Sequence, residues 1–105
     1  MSNIVTTCGA TEAIYSTIQA FVDPGDEVVL MQPYYDSYPA SITMAGGKPV
    51  IITLRPPSDR AATTSDDFKL DVKELEDAIT ARTKAIMLNN PNNPIGKLTL
   101  KLLNT

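Results

Sequence analysis

Lys84-Ala85-Ile86-Met87-Leu88 runs without a break into Asn89-Asn90-Pro91-Asn92-Asn93-Pro94-Ile95-Gly96-Lys97. The first five residues read as a strand buried on both faces, the pattern of a parallel sheet covered by helices. The next nine form an amide- and proline-rich loop. In open α/β sheets ligands gather beyond the carboxyl ends of parallel strands, so a loop leaving such an end is a natural place for amide donors. Asn and Pro are also the ordinary residues of a solvated turn, and this loop alone does not separate the two readings.

Working outward, strand and helix signals alternate. Ile4 to Cys8 is short and rich in β-branched residues, as a buried strand would be, and Gly9 breaks it. From Ala10 onward, Ile14, Ile18, Phe21 and Val22 recur at helical spacing, and Asp23-Pro24-Gly25-Asp26 stops the helix. Glu27 to Met31 is a second apolar strand, ended by Gln32-Pro33. Tyr34, Tyr38, Ile42 and Ala45 predict a second helix closed by Gly46-Gly47, and Lys48 to Leu54 predicts a third strand. Arg55 to Asp67 is a polar excursion. Asp71-Val72-Lys73-Glu74 has the spacing of a capping box for a helix through Leu75, Ala78 and Ile79. Repeated strand-helix units imply one α/β layer structure, or part of one, with a mostly parallel sheet, flanking helices and right-handed crossovers.

Composition narrows the chemistry. The chain has 105 residues, a net charge of -3, no His and one Cys. The absence of His excludes Ser-His and Cys-His catalysis and removes the commonest zinc ligand. Cys8 alone forms neither an internal disulfide nor a thiolate cluster, and it reads as a buried strand-end residue. No metal site is expected. No basic stripe points to nucleic acid, and no apolar run reaches membrane-spanning length, so neither nucleic acid nor membrane is an expected partner. The start of the chain carries no secretory signal, and a cytoplasmic location is the expectation.

Three loops after strand ends carry suggestive groups. Gly9-Ala10-Thr11 turns directly into a helix, where free amides and the Thr11 hydroxyl favour an anion; a plain strand-helix turn looks the same. Tyr35 lies off the Tyr34/Tyr38 stripe and offers an aromatic face. Asn93, with Asn89 nearby, offers an amide donor. Asp66-Asp67 and Glu74-Glu76-Asp77 read as solvated charge. Anion donors, an aromatic plate and an amide together describe a pocket for a phosphorylated aromatic cofactor, and pyridoxal 5'-phosphate fits all three.

Gly9-Ala10-Thr11-Glu12-Ala13-Ile14, Asp23-Pro24-Gly25-Asp26-Glu27-Val28, Pro33-Tyr34-Tyr35, Ala45-Gly46-Gly47 and the Asn89–Lys97 loop stand in an order and spacing that resemble the class I/II pyridoxal-phosphate aminotransferases of fold type I, and within them the kynurenine aminotransferase / cysteine-conjugate β-lyase branch. The resemblance implies that residues 1–105 are part of the large, cofactor-binding domain. It implies Gly9, Ala10 and Thr11 at the cofactor phosphate, Tyr35 on the pyridine ring, Asn93 on the ring oxygen with Asn89 in support, and a cis bond before Pro94. It also implies amino acid and 2-oxo acid substrates and a homodimer.

The same resemblance places the cofactor-binding lysine in a Ser-x-x-Lys segment beyond the Asn loop, and no Ser here is followed three residues later by Lys. Catalytic residues are therefore expected to be absent from this chain. Both ends read as abrupt, the tail from Leu98 to Thr105 departs from the family's usual continuation, and a partial gene product is the expectation. In the family the first strand is separated from the next three by later strands, so Ile4 to Cys8 must mispair, stand apart or await another chain. Two functions fit these residues: a fragment of an aminotransferase, or a non-catalytic interaction or decoy module derived from one.

Overall fold

A computed structural model describes residues 3–98; the tail 99–105, whose fading was expected, lies outside them. The elements are α1 (Ala10–Phe21), β1 (Glu27–Gln32), α2 (Ser37–Met44), β2 (Lys48–Thr53), a 3-10 turn (Ser65–Asp67), α3 (Val72–Ala78) and β3 (Thr83–Met87). The strands form one parallel sheet in the order β2-β1-β3. Register runs from Glu27 opposite Lys48 to Gln32 opposite Thr53 on one side of β1. On the other side Val28 to Leu30 face Ala85 to Met87, with an irregularity just after Glu27. The expected α/β architecture with a parallel sheet and flanking helices is present.

The chain steps from β1 outward to β2, then returns past β1 to β3. Right-handed crossovers in opposite directions put α2 and α3 on opposite faces of the sheet. Packing follows from this. Val28 and Leu30 face Ile18 and Val22 of the α1 segment and Tyr38 and Ile42 of α2, forming the main core. Val29 and Ile52, buried as well, lie one pleat away on the other face, where α3 packs against β2.

Turns and caps explain the element ends. Pro24 and Gly25, the latter at φ 89°, make the tight turn into β1, with Asp26 N–H donating to Asp23 O. Helix α2 closes in a Schellman motif: Gly46, at φ 81°, donates to Thr43 O, and Gly47 N–H reaches Ile42 O. Gly47 is needed for a second reason. A Cβ there would lie 2.6 Å from Val22 Cγ1 and 3.1 Å from Ile42 Cγ2, both buried core side chains. Gly47→Ala is therefore expected to destabilise the chain by about 1–3 kcal/mol through overpacking. A urea midpoint unchanged from wild type would contradict that packing.

Several expectations are corrected. Ile4 to Cys8 is not a strand: it forms no ladder, and Ile4 and Val5 are 73% and 86% exposed. With β2 and β3 flanking β1, the segment has found no neighbour and stands apart. Cys8, accordingly, is exposed and not buried. Strand β3 is not covered on both faces, since Ile86 is 41% exposed and Leu88, just past its end, is exposed too. Among the described residues nothing pairs with its outer edge. Phe21 is exposed although its spacing fits the α1 stripe. Helix α2 begins at Ser37, three residues after Tyr34, which still packs against the core from the loop.

The polar excursion is more ordered than its composition implies. Arg55 and Lys69 close it with a two-bond antiparallel bridge of 2.8–2.9 Å. Asp67 accepts from the Arg60 guanidinium and from Thr63 and Thr64 N–H at 2.8 and 3.0 Å, so it is a hub and not solvated charge. Arg60 first, then the two amides, holds its carboxyl well below the usual carboxylate range. The capping box forms here, between Thr64 and Asp67, and not at α3. Asp71 does cap α3, accepting from Lys73 and Glu74 N–H, but the Glu74 carboxylate turns to Arg55 instead of closing the box.

The starting ends of the strands are tied by Glu27. Its buried carboxylate accepts from Thr80 Oγ1 at 2.6 Å and Arg82 Nη2 at 2.9 Å, with Lys48 Nζ at 3.6 Å. The Thr80 hydroxyl, then Arg82 and Lys48, lower its pKa.

Candidate functional site

Parallel strands place their carboxyl ends on one rim. Helix α1 returns toward the start of β1, so its own start must lie near that rim, and Ala13, Ile14, Thr17 and Ile18 share an apolar groove with Met87, the last residue of β3. The loop after β1 carries Tyr35, and the loop after β3 carries Asn89 and Asn93. Topology thus brings all three sequence-predicted loops to one end of the sheet.

At the α1 start, Gly9 sits at φ 93°, a conformation that favours glycine, and an added Cβ would meet nothing within 4 Å. Space in front of the backbone is open. The first intrahelical bond is Ala13 N–H to Gly9 O at 3.4 Å, which leaves the amides of Ala10, Thr11 and Glu12 ahead of any helical acceptor. Thr11 is exposed. The Glu12 carboxylate folds back onto Cys8 N–H at 2.5 Å, so it holds the upstream amide and not the three helical ones. It also weakens the positive field of the helix end.

Tyr35 is 44% exposed. Its ring meets the buried Tyr38 edge to face, with centroids 6.0 Å apart and planes at 63°, so one ring braces the other while Tyr35 itself stays exposed.

In the Asn loop, Asn93 and Asn89 are both exposed, and Asn93 N–H donates to Asn89 Oδ1 at 2.5 Å. Asn89 therefore shapes the loop through Asn93's backbone, leaving the Asn93 side-chain amide at the surface. The Gln32–Pro33, Asn90–Pro91 and Asn93–Pro94 bonds are cis. Two further residues of this loop, Asn92 and Lys97, are buried. Asn92 donates from Nδ2 to Pro33 O at 3.3 Å, joining this loop to the one that carries Tyr35. Lys97 accepts at its carbonyl from Asn92 N–H and reaches Asp66 with its ammonium, 3.8 Å away. A short-range signal for Asn92 exists, because its Oδ1 accepts from Ile95 N–H three residues on, a local turn pattern. Its partner 59 positions away gives no such signal.

Open amides beside a glycine, an accessible aromatic face and a surface carboxamide make a set able to hold an anion joined to a flat ring. The residues present fit pyridoxal 5'-phosphate in kind. Among the described residues no group of His, Cys, Asp or Glu is placed to hold a metal ion, and no helix is long and apolar enough to cross a membrane.

A family model for aminotransferase class I and II matches residues 1–101. Kynurenine–oxoglutarate transaminase 3 of Mus musculus is 47% identical over 96 residues, which is 90% of this chain and 21% of that protein. Kynurenine–oxoglutarate transaminase 1 of Rattus norvegicus is 45% identical over 100 residues, or 93% and 24% of the two chains. The solved structure of Bna3p from Saccharomyces cerevisiae matches at a TM-score of 0.84 and 37% identity, covering 91% of this chain and 23% of that one. The chain thus spans between 21% and 24% of the length of these relatives.

Proposed function

The chain belongs to the class I and II aminotransferases, and from that we propose that it forms part of the large, cofactor-binding domain of an enzyme that moves amino groups between amino acids and 2-oxo acids. The names of its relatives favour the kynurenine type. The observation that carries the reading is the arrival of Gly9–Thr11, Tyr35 and Asn93 at one rim of a parallel sheet, two of the three loops being joined by Asn92.

Pyridoxal 5'-phosphate, when bound, supplies an aldehyde and an electron-withdrawing ring for amino-group chemistry. The chain's own residues do the holding. The amides of Ala10, Thr11 and Glu12, with the Thr11 hydroxyl, bind the phosphate; Tyr35 covers one face of the ring; the Asn93 carboxamide donates to the ring oxygen, and Asn89 keeps Asn93's backbone in place. No Ser is followed three residues later by Lys, and Lys97 is buried with its ammonium turned toward Asp66, so none of these residues is assigned the covalent or proton-transfer role.

The six contacts just named contribute about 1 kcal/mol each net, and the cost of association offsets part of that, which leaves a dissociation constant of about a millimolar. Pyridoxine 5'-phosphate, which lacks the aldehyde and forms no adventitious imine with surface lysines, is the probe of choice. Titrated into the labelled chain, it is expected to shift the amides of residues 10–12, the Tyr35 ring and the Asn93 side chain with one binding curve. Pyridoxine without the phosphate should leave residues 10–12 unmoved, and the chain alone should not transaminate. Saturable shifts confined to other surfaces would remove the cofactor reading; transamination by the purified chain would remove the assignment of no catalytic residue.

A further inference from the structure

Asn92 uses every polar group it has. Its backbone N–H donates to Lys97 O at 2.9 Å and its carbonyl accepts from Gly96 N–H at 2.6 Å, which folds residues 92–97 into a closed turn. Its side chain then works in two directions: Oδ1 accepts from Ile95 N–H at 3.4 Å inside the loop, and Nδ2 donates to Pro33 O at 3.3 Å in the other loop. The residue is 8% exposed, so these partners replace water that cannot reach it. Asn93 is its immediate neighbour in sequence, and Tyr35 follows Pro33 by two residues. One side chain therefore links the loop that carries the Asn93 carboxamide to the loop that carries the Tyr35 ring.

We infer that Asn92 is a positioning residue: through the Pro33 carbonyl it fixes the distance between the Tyr35 ring and the Asn93 carboxamide, and so the slot into which a flat ring fits. The chemistry explains the residue type. A donor and an acceptor are needed on one short side chain. Aspartate lacks the donor and would set a carboxylate against the Pro33 carbonyl; alanine lacks both groups; glutamine places them a methylene farther out, in a buried space. The inference rests on the cofactor reading above for what enters the slot, but the slot itself can be measured without any ligand.

The first arm therefore uses the full chain alone. In wild type the Asn92 side-chain amide protons are expected to exchange slowly and to show NOEs to Pro33 and Tyr34. In Asn92→Asp and Asn92→Ala the Tyr35 resonances should move toward averaged values while the amides of Val28, Val29 and Leu30 keep their shifts. A freely exchanging Asn92 amide in wild type, which requires no variant to fold, would overturn the inference. The second arm uses pyridoxine 5'-phosphate and, separately, inorganic phosphate. Both variants are expected to weaken pyridoxine 5'-phosphate about tenfold, the loss of one buried hydrogen bond, as read at Tyr35 and Asn93. In the uncharged Asn92→Ala, inorganic phosphate should perturb residues 10–12 as in wild type. Wild-type affinity in both variants, or an equal loss of both ligands in Asn92→Ala, would overturn the positioning role, since a general loosening of the fold strikes both ends alike. A wild-type chain with a slow Asn92 amide but no response to pyridoxine 5'-phosphate would instead overturn the cofactor reading and leave the measured tether standing.

Discussion

Replacing Leu30 by alanine is expected to leave much of the chain unfolded without denaturant, whereas Ile86→Ala, one strand over, is expected to move the urea midpoint only slightly. Leu30 is 1% exposed, lies on the central strand, and packs against both α1 and α2. A buried Leu→Ala change costs about 2–5 kcal/mol, because the lost transfer energy is joined by the cavity left behind. A domain of this size has a total stability of about 5–15 kcal/mol. This chain belongs at the low end of that range, with Ile4, Val5, Phe21, Met44 and the outer edge of β3 all facing solvent. Ile86 shares β3 with core residues but is already close to half exposed, so its truncation costs about 1 kcal/mol or less. Urea unfolding followed by circular dichroism separates the two, and equal displacement of both midpoints would refute the strand order with β1 at the centre.

The second large effect is acid sensitivity. Three carboxylates have lowered pKa values in the folded chain: Glu27 through Thr80, Arg82 and Lys48, Glu74 through Arg55, and Asp67 through Arg60 and the Thr63 and Thr64 amides. The ordinary values are 4.5 for the glutamates and 3.8 for the aspartate. A carboxyl whose folded pKa is depressed stabilises fully above its unfolded value; as pH falls below that value the unfolded chain takes up the proton first, and the stabilisation is lost on the way down to the folded pKa. The urea midpoint should therefore hold level through neutral pH, where the absence of His removes the usual titrating group, and fall once pH drops below 4.5. Glu27→Gln should begin from a lower midpoint and fall less steeply in acid. A midpoint that ignores pH down to the aspartate range, or a Glu27→Gln slope equal to wild type, would show that these contacts do not hold in solution.

Most of the sheet was legible because its signals are local. Glu27 to Met31 reads as a strand from its apolar run Val28–Met31, Pro24-Gly25 and Gly46-Gly47 punctuate the chain, and the alternation of periods forces parallel pairing. What escaped depends on neighbours. Ile4–Cys8 has the composition of a strand, but a strand exists only against another, and β2 and β3 take both sides of β1. Lys84–Leu88 has the composition of a covered strand and lies at an edge for the same reason. Charge was harder still. Nothing in Asp66-Asp67 distinguishes the residue that organises its loop from the one that does not, since Arg60 and Thr63 become its partners only when the excursion closes at Arg55 and Lys69. At the candidate site, Gly9–Thr11, Tyr35, Asn89 and Asn93 were reached from motif and position. Asn92 was passed over because its decisive partner, the Pro33 carbonyl, is a backbone atom that carries no sequence identity.

Glu27 gathers Thr80, Arg82 and Lys48 at the end of the strands farthest from Tyr35 and Asn93. Fastening thus lies at the pole of this small sheet opposite the one where recognition is proposed. Loops at the recognising pole can drift in length and composition over evolutionary time without loosening the clasp, and a chain built this way is free to change what it grips while keeping how it is held.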